Sequence, residues 1–380
     1  MKDCIEFNLD EIFRKRREKV FDFMKANKID AVLFEDSETK RDVAIRYFTG
    51  HSSDSLLIFT QSKSFLLPWD LNLAEKNARI ENIIPYTDFK RESLFALKEI
   101  LSKENLLNGS TVELPQSFSH LDFLKFSEEA STVNFQCRKD GVHNFAVECR
   151  AVKDQYEISC TKKACAITDL MTDEIEQMLN TKTELTEMDI ALYIEKFLRL
   201  HDCERTSFDT LAAGPERSFA IHAFPGYTSS LWGTEGLSIL DYGVCYKGYA
   251  SDCTLTIAKG PLNKEQEKLL DLVETAGREC LKLYKPSCSI LKAAQKADEI
   301  FAAEGKKMPH SLGHGTGLEI HEAPFVTIRA DENKVFKSGN IVTLEPGLYD
   351  PDLGGTRLEN DVLITDDSNL VLTKSRIIRL

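Results

Sequence analysis

At 380 residues the chain is long for one hydrophobic core, so two domains are expected, and its 42% hydrophobic and 29% charged residues are those of a soluble globular protein. A formal net charge of −13 argues against nucleic acid or an anionic membrane as partner, and no stretch approaches the roughly 18 apolar residues of a membrane span. Residues 1–8 carry no apolar run of a signal peptide, and ten scattered cysteines without a CxxC pair read as reduced thiols in the cytoplasm, with Cys149, Cys160 and Cys165 as small apolar packing residues.

In chain order, a helix is expected over 11–28, where Ile12, Val20, Phe21, Phe23 and Met24 stand among many Lys and Arg. Short strands follow at 30–34, 55–60, 64–68, 83–86 and 111–114, separated by helices over 71–79 and 92–103. Strands alternating with helices indicate an α/β domain, ending near 134–142. Its most distinctive piece, residues 46–51, reads as a turn with a satisfied histidine, His51.

Beyond it, 152–179 is one long helical pattern. Thr186 reads as an N-cap with Asp189 three residues on, and Ile190, Tyr193, Ile194, Phe197 and Leu198 then fall on one helix face. Two strands, 237–245 and 249–258, come next. The order then repeats. Asn263 caps a helix over 265–283, a second helix covers 290–303 and stops at Gly305, and strands follow at 340–345 and 357–365. Two rounds of helix, helix, strand, strand suggest a pseudo-symmetric domain.

Three of the eight histidines, His310, His314 and His321, fall within 308–322, and Gly313, Gly315 and Gly317 alternate around the central one. Glycine lets a backbone pass close to a neighbour, and an imidazole held there suits a metal ion or a reacting substrate. The acids around this stretch sharpen that reading. Asp241 and Asp252 are the only carboxylates in 237–258, and a hairpin turning at Tyr246-Lys247 would set them directly opposite each other. Glu345 and Glu359 offer a second such pair. Each acid is flanked by apolar residues, where a lone charge is costly, and paired carboxylates repel unless a cation lies between them. Two divalent cations would balance the four acids, and activate water at neutral pH. Carboxylates favour Mn²⁺ or Mg²⁺, and the histidine also admits Zn²⁺, Co²⁺ or Fe²⁺.

These motifs resemble the "pita-bread" metallopeptidases, which include aminopeptidase P, prolidase, methionine aminopeptidase and creatinase. The matching stretches are 241–243 with 251–252, 310–322, 343–347 and 354–359. The resemblance covers nearly the whole chain. It implies an α/β (α+β) protein, with a creatinase/prolidase-like N-terminal domain over 1–140 and a pseudo-symmetric pita-bread catalytic domain over 145–380. It implies two metal ions, Mn²⁺ foremost, on Asp241, Asp252, His314, Glu345 and Glu359. Glu345 would also shuttle the proton. His310, His321 and His222 would hold the substrate and the tetrahedral intermediate, and Arg357 would stand close to the metals. The implied activity is hydrolysis of Xaa-Pro bonds in dipeptides or at peptide N-termini, by a homodimer. Creatinase-type hydrolases and non-catalytic protein-binding relatives share the fold but lose metal ligands, whereas all four acids are present here. Methionine aminopeptidase usually lacks the N-terminal domain.

Overall fold

The computed structural model describes residues 6–181 and 184–380; residues 1–5, part of the stretch read for a signal peptide, lie outside it. The chain divides after Arg150 into two compact units. No described helix is long and apolar enough to cross a membrane. The described cysteines are free, and Cys160 and Cys165 are buried.

The N-terminal unit opens with the helix Leu9–Ala26, whose charge-rich sequence hides a buried stripe of Phe13, Arg16, Arg17, Val20 and Met24. The two arginines are buried because they find acceptors. Arg16 donates to the Tyr47 carbonyl at 2.8 Å, and Arg17 to the Phe48 carbonyl at 3.0 Å and the Arg79 carbonyl at 2.6 Å. The first two acceptors lie in the last turn of the helix Val43–Thr49, where cations complement the unpaired carbonyls. That helix stands where a turn over 46–51 was expected, with Gly50 as its left-handed cap at φ 78°. His51 corrects the expectation again. It is 1% exposed, and neither ring nitrogen has a hydrogen-bond partner. Burial pushes its pKa down, which keeps the ring in the neutral form that costs least without partners.

The unit is built on a mixed six-stranded sheet in the order Asn82–Ile83, Ser64–Pro68, Ser55–Thr60, Ala31–Asp36, Thr111–Glu113, Asn134–Gln136. The expected 55–60 and 64–68 strands are found at those bounds. The expected 83–86 strand shrinks to Asn82–Ile83 followed by a 3₁₀ turn, Tyr86–Phe89. Pro85 lies between them and has no N–H to donate to a ladder.

The second unit carries the pseudo-symmetry. The helix expected from 152 starts at Gln155 instead, because Asp154 and Glu157 form a reciprocal capping pair at 3.0 and 3.1 Å. Its partner Glu187–Leu200 has the expected capping box of Thr186 and Asp189, and buries Ile190, Ile194, Phe197 and Leu198. The second pair, Lys264–Leu281 and Ile290–Ala303, is capped by Asn263 and Ser289. Both pairs pack on one antiparallel path of strands, in the order Glu322–Val326, Gly313–Gly315, Ile341–Leu344, Glu359–Ile364, Cys253–Lys259, Gly236–Tyr242, Leu211–Ala213. Each half contributes a strand pair, flanked by Leu211–Ala213 in the first half and by Gly313–Gly315 and Glu322–Val326 in the second, and the two pairs meet where Glu359–Ile364 lies against Cys253–Lys259. Each half also has its own core. Met171, Ile175, Ile194, Leu240 and Leu255 fill the first; Val273, Ala276, Phe301, Val342 and Val362 fill the second.

The first hairpin turns at Lys247-Gly248, with φ 50° and 86°, and pairs Tyr246 with Tyr249. A two-residue turn of this kind needs positive φ at both central positions, and glycine supplies one without strain. Turning at Tyr246-Lys247, as expected, would put two side-chain-bearing residues there. Asp241 consequently pairs with Thr254, not with Asp252. The slip is two residues, an even number, so it leaves the two aspartates on the same face of the sheet.

Candidate metal centre

Every acid expected at the site comes from one of the two central strand pairs. Asp241 lies in Gly236–Tyr242, and Asp252 immediately precedes Cys253–Lys259. Glu345 immediately follows Ile341–Leu344, and Glu359 begins Glu359–Ile364. Leu344 pairs with Asn360, so the same register carried one step further sets Glu345 against Glu359. His314 is the middle residue of Gly313–Gly315. A side chain at Gly313 would run into the Thr343 carbonyl, and one at Gly315 into the Glu322 and Ala323 carbonyls. The flanking glycines thus let the histidine strand lie close against both neighbours.

The side chains converge. His314 Nε2 lies 3.6 Å from Asp252 Oδ2, 3.6 Å from Glu345 Oε1 and 3.9 Å from Glu359 Oε1. Ligand atoms of Asp252, His314 and Glu359 all fall within 4.8 Å of one another. Asp241 is oriented by Arg357, whose Nη2 donates to Oδ2 at 2.8 Å. Arg357 also donates through Nε to Thr254 Oγ1 at 3.0 Å, and that hydroxyl donates to Glu359 Oε2 at 2.8 Å.

The electrostatics are those of a site short of positive charge. Burial, then the neighbouring carboxylates Glu359 and Asp241, drive the Asp252 pKa well above its usual range. Burial, then Glu345 and Asp241, do the same to Glu359. Burial lifts Glu345 to about 8 against the pull of Arg357. Burial and His321 lower His314 to about 4; burial and Arg357 lower His310 to about 4. Asp252, Glu345 and Glu359, like His310 and His314, are therefore pushed toward their neutral forms when no cation is present. Three carboxylate oxygens, Asp241 Oδ1, Asp252 Oδ1 and Glu359 Oε1, are buried without any hydrogen-bond partner. Buried polar atoms are normally satisfied. Three orphaned acceptors from residues that face one cavity, beside a neutral imidazole, fit divalent cations.

That cavity has a volume of about 560 Å³. All nine residues expected at the site line it: Asp241, Asp252, His314, Glu345, Glu359, His222, His310, His321 and Arg357. His222 and His321 are exposed, and the His321 ring meets that of His314 edge-on at 4.3 Å. Phe208, Leu211, Ile221 and Phe325 add apolar wall.

Besides Thr254, two further supporting residues escaped sequence reasoning. The Tyr349 hydroxyl accepts from Arg357 Nη1 at 2.6 Å and lies 3.0 Å from His310 Nε2. His310 Nδ1 lies 2.8 Å from the Ser311 carbonyl, which can only accept. The His310 proton therefore sits on Nδ1, and Tyr349 donates to Nε2. Asp361 is fully buried and accepts from the Asp252 N–H at 2.7 Å and the Thr316 hydroxyl at 2.8 Å. Its signal in the sequence was its place two residues beyond Glu359, on the same strand face.

Both units of the chain have matches among known proteins. Residues 159–366 match the metallopeptidase family M24, and residues 16–135 match the creatinase/prolidase N-terminal domain. A Pyrococcus horikoshii protein named Xaa-Pro dipeptidase is 32% identical over 374 residues, covering 96% of this chain and 98% of its own. Its Pyrococcus furiosus counterpart is 31% identical, covering 95% and 98%. The crystal structure of the Pyrococcus horikoshii prolidase superposes with a TM-score of 0.81 at 26% identity, covering 95% of this chain and 98% of that one. With residues 159–366 and the N-terminal unit both matched, the chain belongs to the metallopeptidase family M24.

Proposed function

We propose that the protein is an Xaa-Pro dipeptidase that works with two divalent metal ions, Mn²⁺ foremost. The observation that carries this reading is the convergence of Asp241, Asp252, His314, Glu345 and Glu359 on one cavity with three buried acceptors unpaired. The relatives named Xaa-Pro dipeptidase cover nearly the full chain, which favours dipeptides over longer substrates. Location in the cytoplasm and assembly as a homodimer belong to the same reading.

Asp241, Asp252, His314, Glu345 and Glu359 would hold the ions. Bound there, the ions would neutralise the carboxylates, polarise the scissile carbonyl and supply an activated water. The remaining work falls to the chain. Glu345 borders the open cavity, and with its charge balanced by the bound cations its carboxylate would be free to accept a proton. It takes the proton from the attacking water and passes it to the departing proline nitrogen, which has no hydrogen of its own. His310, held by Tyr349 with its proton on Nδ1, lies 3.8 Å from Glu345 Oε2 and fixes that side of the cavity. Arg357 orients Asp241. His321 and His222 face the solvent side, where they can donate to a substrate carbonyl or a developing oxyanion.

The test is an assay of purified protein on Xaa-Pro dipeptides and tripeptides, after chelation and after re-addition of Mn²⁺, Co²⁺ or Zn²⁺. Dipeptide cleavage restored by metal supports the reading. Full activity in verified metal-free protein, or no Xaa-Pro cleavage with both sites loaded, overturns it.

A further inference from the structure

Part of the cavity wall is a loop, residues 214–228, which carries Ile221, His222, Phe224 and Gly226 into the lining. Loops are mobile unless tied down. This one is tied by two side chains that lie outside the cavity lining. Glu187, the first residue of the helix Glu187–Leu200, is fully buried. Its Oε1 accepts from the Gly214 N–H at 2.7 Å, and its Oε2 from the Thr228 N–H and hydroxyl, both at 2.7 Å. One carboxylate thus gathers both ends of the loop. Arg217 spans its interior. One nitrogen of its guanidinium donates to Glu187 Oε2 and the other to the carbonyls of Ala223 and Pro225. Those carbonyls flank Phe224, and Ala223 directly follows His222. The neighbouring Ile221 carbonyl accepts from Arg357 Nη1 at 3.1 Å, so the loop is also referenced to the acid side of the cavity.

We propose that Arg217 and Glu187 are positioning residues that set His222 and Phe224 against the substrate, and that they act on peptide binding and turnover without acting on metal binding. The proposal rests on the peptidase reading above. Arg217 makes no contact with a candidate metal ligand; its acceptors are Glu187 and the loop's own carbonyls. The planar fork is essential to the arrangement, since it serves three acceptors at fixed angles, whereas a lysine ammonium would serve Glu187 alone. Removing the arginine leaves Glu187 with three donors, so the helix end stays satisfied while the loop interior is released. Misplacing a binding group by about 1 Å costs on the order of 10²-fold in rate.

The experiment compares the wild type with Arg217→Ala, Arg217→Lys, His222→Ala and the Arg217→Ala/His222→Ala double variant. Mn²⁺ binding is read by calorimetry, kcat and KM on an Xaa-Pro dipeptide, and hydrogen exchange over 218–227. Arg217→Ala is expected to bind Mn²⁺ as the wild type does, to lose on the order of 10²-fold in kcat/KM, and to exchange faster across 218–227. Arg217→Lys is expected to keep the wild-type melting temperature and still lose activity. The double variant should be no worse than the more damaging of the two single variants, because residues that act as one unit are not additive. Fully additive losses, unchanged kcat/KM in Arg217→Ala, or a loss of Mn²⁺ affinity matching the loss of activity would each overturn the proposal. If the wild type cleaves no Xaa-Pro bond, the peptidase reading fails, while hydrogen exchange still decides the clamp: unchanged protection over 218–227 in Arg217→Ala refutes it.

Discussion

Asp361 would not touch a bound ion, yet it ties the two halves of the site together. It holds the Asp252 backbone through that residue's N–H, and the histidine strand through Thr316, two residues beyond His314. Partners of this kind orient metal ligands, and their loss costs about 10–100-fold in metal affinity. Asp361→Ala should therefore weaken Mn²⁺ binding by that order in calorimetry. Unchanged affinity would mean that the sheet alone sets Asp252. Two histidines test a different division of labour. His314 sits among three acids, whereas His321 is exposed and only borders His314. His314→Ala should lose metal occupancy. His321→Ala should keep it and lose about 10²–10³-fold in kcat, the usual cost of one oxyanion donor. Near-normal turnover in His321→Ala would remove it from the substrate's surroundings. At this scale the residues that could bind ions were legible, because acids and histidines are rare in apolar strands. Tyr349 and Thr254 were not, because a hydroxyl in a strand declares a partner only once the register is known.

The elements show where reading by pattern succeeds. The helix Ile290–Ala303 and the capping box at Thr186 and Asp189 were legible because they are local: periodicity and a cap three residues away contain the whole signal. Register is not local. The pairing between Asp241 and Asp252 was misplaced by two residues because the turn was set at Tyr246-Lys247, when Gly248 moves it to Lys247-Gly248. Parity rescued the functional inference, since an even slip preserves the face. The 46–51 segment failed differently. Its helix ends on Arg16 and Arg17, thirty-one residues upstream, and nothing in the segment itself announces them. Close packing of elements gives a further prediction. A methyl group at Gly313 would meet the Thr343 carbonyl in the adjoining strand. Gly313→Ala should then destabilise the protein by about 1–3 kcal/mol, the common cost of overpacking, and shift His314. Chemical denaturation with a parallel Mn²⁺ titration checks both. A variant of wild-type stability and affinity would show that the strands can part cheaply.

For the molecule as a whole, the acids make stability depend on metal and on pH. A ligand that binds only the folded state adds about 2.7 kcal/mol at a hundredfold excess over its Kd, so chelation should lower the melting temperature. An unchanged melting curve after verified metal removal would mean that the acids do not share an ion. The metal-free protein should also respond to pH in a defined direction. Glu345 moves from an ordinary 4.5 to about 8 on folding, so the folded state holds its proton longer and stability falls as pH rises through that window. His310 and His314 are depressed from 6.5 to about 4, so they add stability with rising pH, but only up to 6.5. Between pH 6.5 and 8 these two histidines no longer oppose Glu345, and Asp252 and Glu359, raised by burial and by their neighbours, act in the same direction, so stability falls with rising pH. Urea unfolding of metal-free protein at the two pH values should show the loss, and metal-loaded protein should not. A flat or rising profile in the metal-free protein would contradict it. The division of ligands between the halves of the sheet also bears on time. Asp241 and Asp252 belong to one half of the sheet, His314, Glu345 and Glu359 to the other, and the two are joined through Cys253–Lys259 and Glu359–Ile364. On the proposed ligand set, neither half would supply every ligand by itself. Metal should therefore arrive after the slow events of folding are over, leaving the refolding rate as it is and slowing escape from the native state. The ions would then act as a latch whose strength is measured in the lifetime of the folded enzyme.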